Sequence, residues 1–181
     1  MLRSSAGRWL RVRFGFGIVG ILLIAATMPG RAGQLAHAQS VGPVSVAEHA
    51  ITMDAANAMI TAAVARAREL GLAVTVVVVD GHGLQKAMAR MDGALVSSID
   101  VAFGKAYTAA IRRETTEAYG ERLMENPRLL HSIAAVQPHM FLTPGGIPII
   151  VDGQVIGAIG AGGASGAADL QIATAGLAAS R

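Results

Sequence analysis

Apolar residues recur at helical spacing from Met53 to Leu70, with Ala56, Met59, Ile60, Ala63, Val64 and Ala67 on one stripe. Thr52 stands as an N-cap and Gly71 as a C-terminal stop, so the segment predicts a helix. Leu72 to Val79 contains four consecutive valines, the pattern of a strand buried on both faces. Asp80-Gly81-His82-Gly83 is a turn, and Leu84 to Met91 alternates imperfectly as a second strand. Asp92-Gly93 ends that strand, and Ser97 or Ser98 caps a helix reaching about Arg113. On this helix Ile99, Ala102, Phe103, Ala106 and Ala110 form one stripe, while Val101, Lys105, Thr108 and Arg112 form another. A polar helix follows over Thr115 to Met124, stopped by Asn126-Pro127. Residues 127–146 are the least regular part, with one short strand expected around His139 to Leu142. Ile147 to Val151, Asp152-Gly153 and Gln154 to Ile159 make the clearest hairpin, because Asp-Gly is a strong two-residue turn signal. Gly160 to Gly166 reads as a flexible connection, and Ala167 to Ala179 as an Ala-rich closing helix. This order of elements implies an α+β domain, a mainly antiparallel sheet with helices packed on it.

The first 38 residues do not belong to that pattern. Arg3, Arg8, Arg11 and Arg13 precede an apolar run from about Phe14 to Met28, followed by Ala36-His37-Ala38. These are the three parts of a secretory signal peptide, and the expected cleavage follows Ala38. The run is shorter than the roughly 20 residues a membrane span requires. Residues 39–51 then form a short lead and residues 52–181 a single domain, placing the mature chain in the periplasm or outside the cell.

Removing the leader changes the charge. The whole chain has a net charge of +3, but five of its 15 Lys and Arg and none of its 12 Asp and Glu precede residue 39, so the mature part carries −2. The basic character belongs to the export signal, and no electrostatic reason remains to expect nucleic-acid binding. There are 0 cysteines, which excludes disulfides and thiolate metal sites. The mature chain keeps only Phe103, Tyr107, Tyr119 and Phe141 as aromatics. Its many small side chains suit close helix-on-sheet packing and leave apolar faces that a homo-oligomer buries.

The chemistry-bearing positions are few. Gly157 to Gly166 follows a strand and precedes a helix, but Ser165 falls where a dinucleotide loop needs glycine and too little chain remains for the ribose-binding acid. The simpler reading is a helix N-terminus with Ser165 or Asp169 near its positive end. His82 sits between turn glycines, where a solvent-exposed imidazole is the default. His131 and His139 match neither a helical zinc pair nor a zinc finger, and no metal site is expected. A lone imidazole as an axial haem ligand needs no motif, so both stay open for that role. Lys105 and Thr108 share a helix face, either as an exposed pair or as contacts to an anionic ligand. Arg90 and Asp92 either pair with each other at a strand end or form part of a site.

Taken together, Val79-Asp80-Gly81-His82-Gly83, Arg90-Met91-Asp92-Gly93-Ala94, Ser98 with Lys105-Ala106-Tyr107-Thr108-Ala109, Gly145-Gly146-Ile147-Pro148-Ile149, and Gly157-Ala158-Ile159-Gly160 with Ala175-Gly176-Leu177-Ala178 resemble the GlcG/HbpS family. The resemblance covers roughly residues 52–179. It implies one α+β domain with a five-stranded, mainly antiparallel sheet flanked by helices, and homo-oligomers, commonly octamers. It further implies haem or iron binding, with secreted members linked to haem capture and redox signalling beside a membrane sensor. Other branches are fused to corrinoid adenosyltransferases, the PduO type. A threonine implicated in haem contact falls on Thr108.

The leading expectation is therefore an exported haem-binding protein, with haem degradation or redox sensing as its finer role. Thr108, His82 or His139 would approach the iron, and Lys105, Arg112 or the Gly160–Gly166 amides would meet the propionates. The rival is an enzyme or accessory protein acting on a small organic acid, with Arg90 and Lys105 as carboxylate clamps and His82 as general acid or base. A third reading is a non-enzymatic partner of a membrane sensor.

Overall fold

Val76, Val77, Val78 and Val79 are fully buried because strand β1 (Thr75–Asp80) has helices on both of its faces. The computed structural model describes residues 45–137 and 139–180, and the leader read at residues 1–38 lies outside the described residues. Strand β1 turns into β2 (Gln85–Arg90); β3 (Gly146–Val151) and β4 (Gln154–Gly162) complete a sheet of order β2-β1-β4-β3, antiparallel throughout. Val76 and Val78 point to a core made with helices α1 (Met53–Glu69) and, at the chain's end, α5 (Gly166–Ala178). Val77 and Val79 point the other way, onto Ala102, Ala106, Ala109 and Ala110 of helix α2 (Ser98–Arg112). The alternation of a strand thus divides one valine run between two cores.

The second core is built from small residues, and that sets how close α2 lies to the sheet. A Cβ at Gly162 would stand 2.8 Å from the Ala102 nitrogen, and one at Gly160 would collide with the backbone of Ala102 and Ala106. Glycine and alanine on β4 therefore let the helix rest directly on the strand. Phe103, which the periodicity places with the core stripe, is only half-buried and lies to the side of it.

The caps follow the sequence with one exception. Thr52 and Ser165 accept from the amides of Ala55 and Ala168 as helix caps. In the β3–β4 hairpin Asp152 and Gly153 take φ of 50° and 77°, as a tight two-residue turn requires. At the start of α2, Ser97 makes no side-chain cap. Ser98 Oγ instead donates to the Leu95 carbonyl and lies 2.7 Å from Thr75 Oγ1, tying the helix to β1.

Four expectations about the elements fail. The described sheet has four strands, not five, and the residues expected to be irregular include helix α4 (Pro127–Val136), which follows α3 (Thr116–Met124). Asn126-Pro127 is a start as well as a stop. Asn126 Oδ1 accepts from the Leu129 amide at 3.2 Å, and proline at the first helical position loses no hydrogen bond. The segment expected as a strand around His139 to Leu142 pairs with no strand. The amide of Phe141 donates to Thr108 Oγ1 on α2. The glycines at 160 and 162 also belong to β4 rather than to a flexible connection.

Candidate functional site

Helix α2 faces the sheet with its alanines, which leaves Phe103, Tyr107, Ile111 and Arg112 on its outer side. Phe103 and Tyr107 are one turn apart, and their rings stack with centroids 6.0 Å apart. The chain returning from α4 crosses this side of the helix as a strap, residues 137 and 139–143. Its His139 ring meets Phe103 and Tyr107 edge-on, at 6.3 and 6.5 Å. The strap comes this close because position 104 is glycine: a Cβ there would collide with the Phe141 ring and lie 2.6 Å from the His139 carbonyl. The β1–β2 turn closes the other flank, since a Cβ at Gly83 would stand 2.6 Å from the Tyr107 ring. The four aromatics of residues 39–181 thus gather beside one helix face, with an exposed imidazole against two of them.

Three of the six residues singled out in the sequence, Thr108, His139 and Arg112, meet here. Thr108 is fully buried; its hydroxyl donates to the Gly104 carbonyl at 2.7 Å and accepts from the Phe141 amide at 3.0 Å. In this conformation both capacities are used within the protein, so Thr108 pins the strap. Arg112 is half-buried, its guanidinium 4.9 Å from the Tyr119 ring centroid and its Nη2 near Gln137 Oε1 and Met140 Sδ.

The other three lie apart. Lys105 does not face solvent beside Thr108: its ammonium is 1% exposed and 2.6 Å from Asp169 Oδ2 on α5. Its face of α2 turns toward the sheet, because Ala102, Ala106 and Ala109 flank it there, so an exposed Lys105/Thr108 pair is not formed. His82 is exposed on its turn, 3.1 Å from Glu48; Asp80 Oδ1 accepts from the amides of His82 and Leu84 and holds the turn. Arg90 donates to the Ala94 carbonyl at 2.9 Å, at the far end of β2. At about 3.3 Å per residue, His82 and Arg90 stand roughly 20 Å apart. The acid-clamp arrangement of Arg90, Lys105 and His82 is therefore not assembled. Among the described residues no three His, Asp or Glu side chains cluster as a metal site.

An open cleft of about 540 Å³ lies beside His49, His82 and Arg113. The aromatic face is a shelf instead, which suits a flat ligand held by area. Phe103 and Tyr107 were legible as an aromatic pair at i and i+4, but nothing local shows that His139 and Tyr119 join them.

A sheet covered by helices on both faces, with aromatic rings and an imidazole grouped outside α2, defines a small α+β domain. The chain belongs to the family described as haem degrading protein HbpS-like, whose model matches residues 51–178. Protein GlcG of Escherichia coli K12 is 35% identical over 110 residues, covering 61% of this chain and 79% of GlcG. The crystal structure of Klebsiella pneumoniae protein ORFY superposes with a TM-score of 0.73 at 31% identity, covering 78% of this chain and 97% of that one. A complex of PduOC with haem matches with a TM-score of 0.67 at 31% identity, over 72% of this chain and 94% of its own.

Proposed function

We propose that this protein binds haem on the outer side of α2. The observation that carries the reading is the shelf of Phe103, Tyr107 and His139, where two stacked aromatic rings meet one imidazole. The residues present fit the group: two stacked rings offer apolar area, His139 offers a nitrogen lone pair, and Arg112 carries positive charge at the end of the same helix. Bound haem supplies an iron centre whose reactivity depends on its axial ligand and on the polarity around it. The likeness to PduOC, known in complex with haem, supports the reading from outside this chain.

Within it, His139 is the preferred axial donor because it is exposed and adjacent to both rings, whereas Thr108 has its hydroxyl engaged and His82 lies on the neighbouring turn. Lys105 has a structural part in place of a propionate contact. Haem degradation or redox sensing is the finer role proposed, in a protein exported to the periplasm or beyond, assembled as a homo-oligomer such as an octamer and serving a membrane sensor.

A haemin titration followed by absorption spectroscopy tests the core of this. One saturable site per chain is expected, with the Soret band shifted or lost in His139→Ala and unchanged in His82→Ala. Absence of saturation in the parent protein overturns haem binding; an unchanged band in His139→Ala overturns the ligand.

A further inference from the structure

Beneath the strap two polar atoms are buried without partners. Arg112 Nε and Tyr119 Oη are shielded from solvent and make no hydrogen bond with any described residue, although Tyr119 is only 2% exposed. Such atoms are rare in folded proteins, and each costs about 1–3 kcal/mol when left unpaired. The two are neighbours: the guanidiniums of Arg112 and Arg122 both lie over the Tyr119 ring, 4.9 and 5.1 Å from its centroid. Arg122 pairs with Glu114, but Arg112 has no carboxylate partner among the described residues.

The way Arg112 is satisfied is informative. Its Nε–H and one Nη2–H point the same way and form the fork that a carboxylate takes with two oxygens. On this edge Nη2 has only Gln137 Oε1 at 3.3 Å and Met140 Sδ at 3.8 Å, a long bond and a weak acceptor, and Nε has none. Both acceptors are flexible side chains of the strap. The preceding helix, α4, buries no side chain completely among those described, so moving Gln137 and Met140 aside breaks little packing.

We infer that Arg112 and Tyr119 form a carboxylate-binding site roofed by Gln137 and Met140, in which the carboxylate replaces the two weak acceptors and takes the unpaired Nε–H and phenol O–H. The carboxylate comes either from a propionate of haem on the adjacent shelf, the arm that rests on the proposed function, or from a free small acid. The Tyr119 hydroxyl makes no hydrogen bond among the described residues. Tyr119→Phe therefore removes an unpaired hydroxyl from the unliganded protein and leaves its melting temperature unchanged or higher.

The test uses the full chain, with Tyr119→Phe and Arg112→Lys beside it; the lysine keeps the charge and loses the fork. Each protein is titrated with haemin, with haemin dimethyl ester and, against chloride at equal ionic strength, with sodium propanoate. Parent affinity for haemin about tenfold or more above that for the ester, with the gap closed in both variants, supports the site with haem as its source. Propanoate raising the melting temperature of the parent and of neither variant supports it with a free acid as its source, even if haemin and its ester fail to saturate and haem binding falls. Equal affinity for haemin and ester with no response to propanoate overturns the inference, while leaving haem binding intact if the shelf still saturates. A clear loss of stability in unliganded Tyr119→Phe also overturns it, since the hydroxyl then has a structural partner.

Discussion

Removing either member of the Lys105–Asp169 pair tests whether Lys105 is a structural residue or a ligand contact. The two side chains are 1% and 2% exposed, with Nζ and Oδ2 2.6 Å apart, and the pair joins α2 to α5 where the backbone passes over it. A Cβ at Gly145 would stand 3.1 Å from Nζ and 2.7 Å from the Asp169 Cβ, which accounts for the Gly-Gly that opens β3. Breaking a buried pair by removing one partner costs about 3–5 kcal/mol, because the other charge is stranded. The two singles should not be equal. The Asp169 carboxylate also accepts from the Ala164 amide at 3.1 Å and lies in the first turn of α5, near the positive end of the helix dipole. An orphaned Asp169 thus keeps compensation that an orphaned Lys105 lacks among the described residues. We expect Asp169→Leu to cost about 4–5 kcal/mol and Lys105→Met about 2–3 kcal/mol, with the double variant within about 1–2 kcal/mol of the parent. Urea unfolding of the four proteins gives the cycle directly. Singles costing less than about 1 kcal/mol, or a double variant as unstable as the sum, would refute the reasoning. Haemin affinity of the folded double variant should match the parent.

The strap gives further predictions. Gly104→Ala gains about 1 kcal/mol of helix propensity but drives a methyl into Phe141, and a net loss of about 1–3 kcal/mol is expected by thermal melting. Thr108→Val leaves the Phe141 amide unpaired and should cost about 1–3 kcal/mol, whereas Thr108→Ser should recover most of it; faster amide exchange at Phe141 in the valine variant is the direct readout. Gly176→Ala places a carbon 2.9 Å from the Met59 carbonyl and against Ile159, so it should destabilise the contact of α1 with α5 by about 1–3 kcal/mol. His82→Ala breaks only an exposed pair with Glu48 and should change stability by less than about 0.5 kcal/mol.

Legibility in this chain tracks how local each signal is. The valine strand, the Asp152-Gly153 hairpin and the Thr52 and Ser165 caps rest on backbone preferences within a few residues, and all could be read directly, whereas Gly160 and Gly162 read as a flexible connection and lie in β4. Helix α4 is legible in the same local way, since Asn126 and Pro127 serve as start signals as well as a stop. The burial of Lys105 could not be read. Its spacing matches Thr108 and Arg112 on an exposed stripe as well as it matches a buried position, and the choice rests on a carboxylate 64 residues away.

The sequence by itself determined the α+β class, the family resemblance and the central strand, because periodicity and turn chemistry act locally. Only the tertiary structure decided which face of α2 meets the sheet, and with it the division of the six candidate residues. Thr108, Arg112 and His139 come together at the strap because Gly104 admits it, whereas Lys105 is turned inward to Asp169. Those outcomes depend on packing between segments distant in the chain, where one missing methyl or one buried countercharge settles the arrangement.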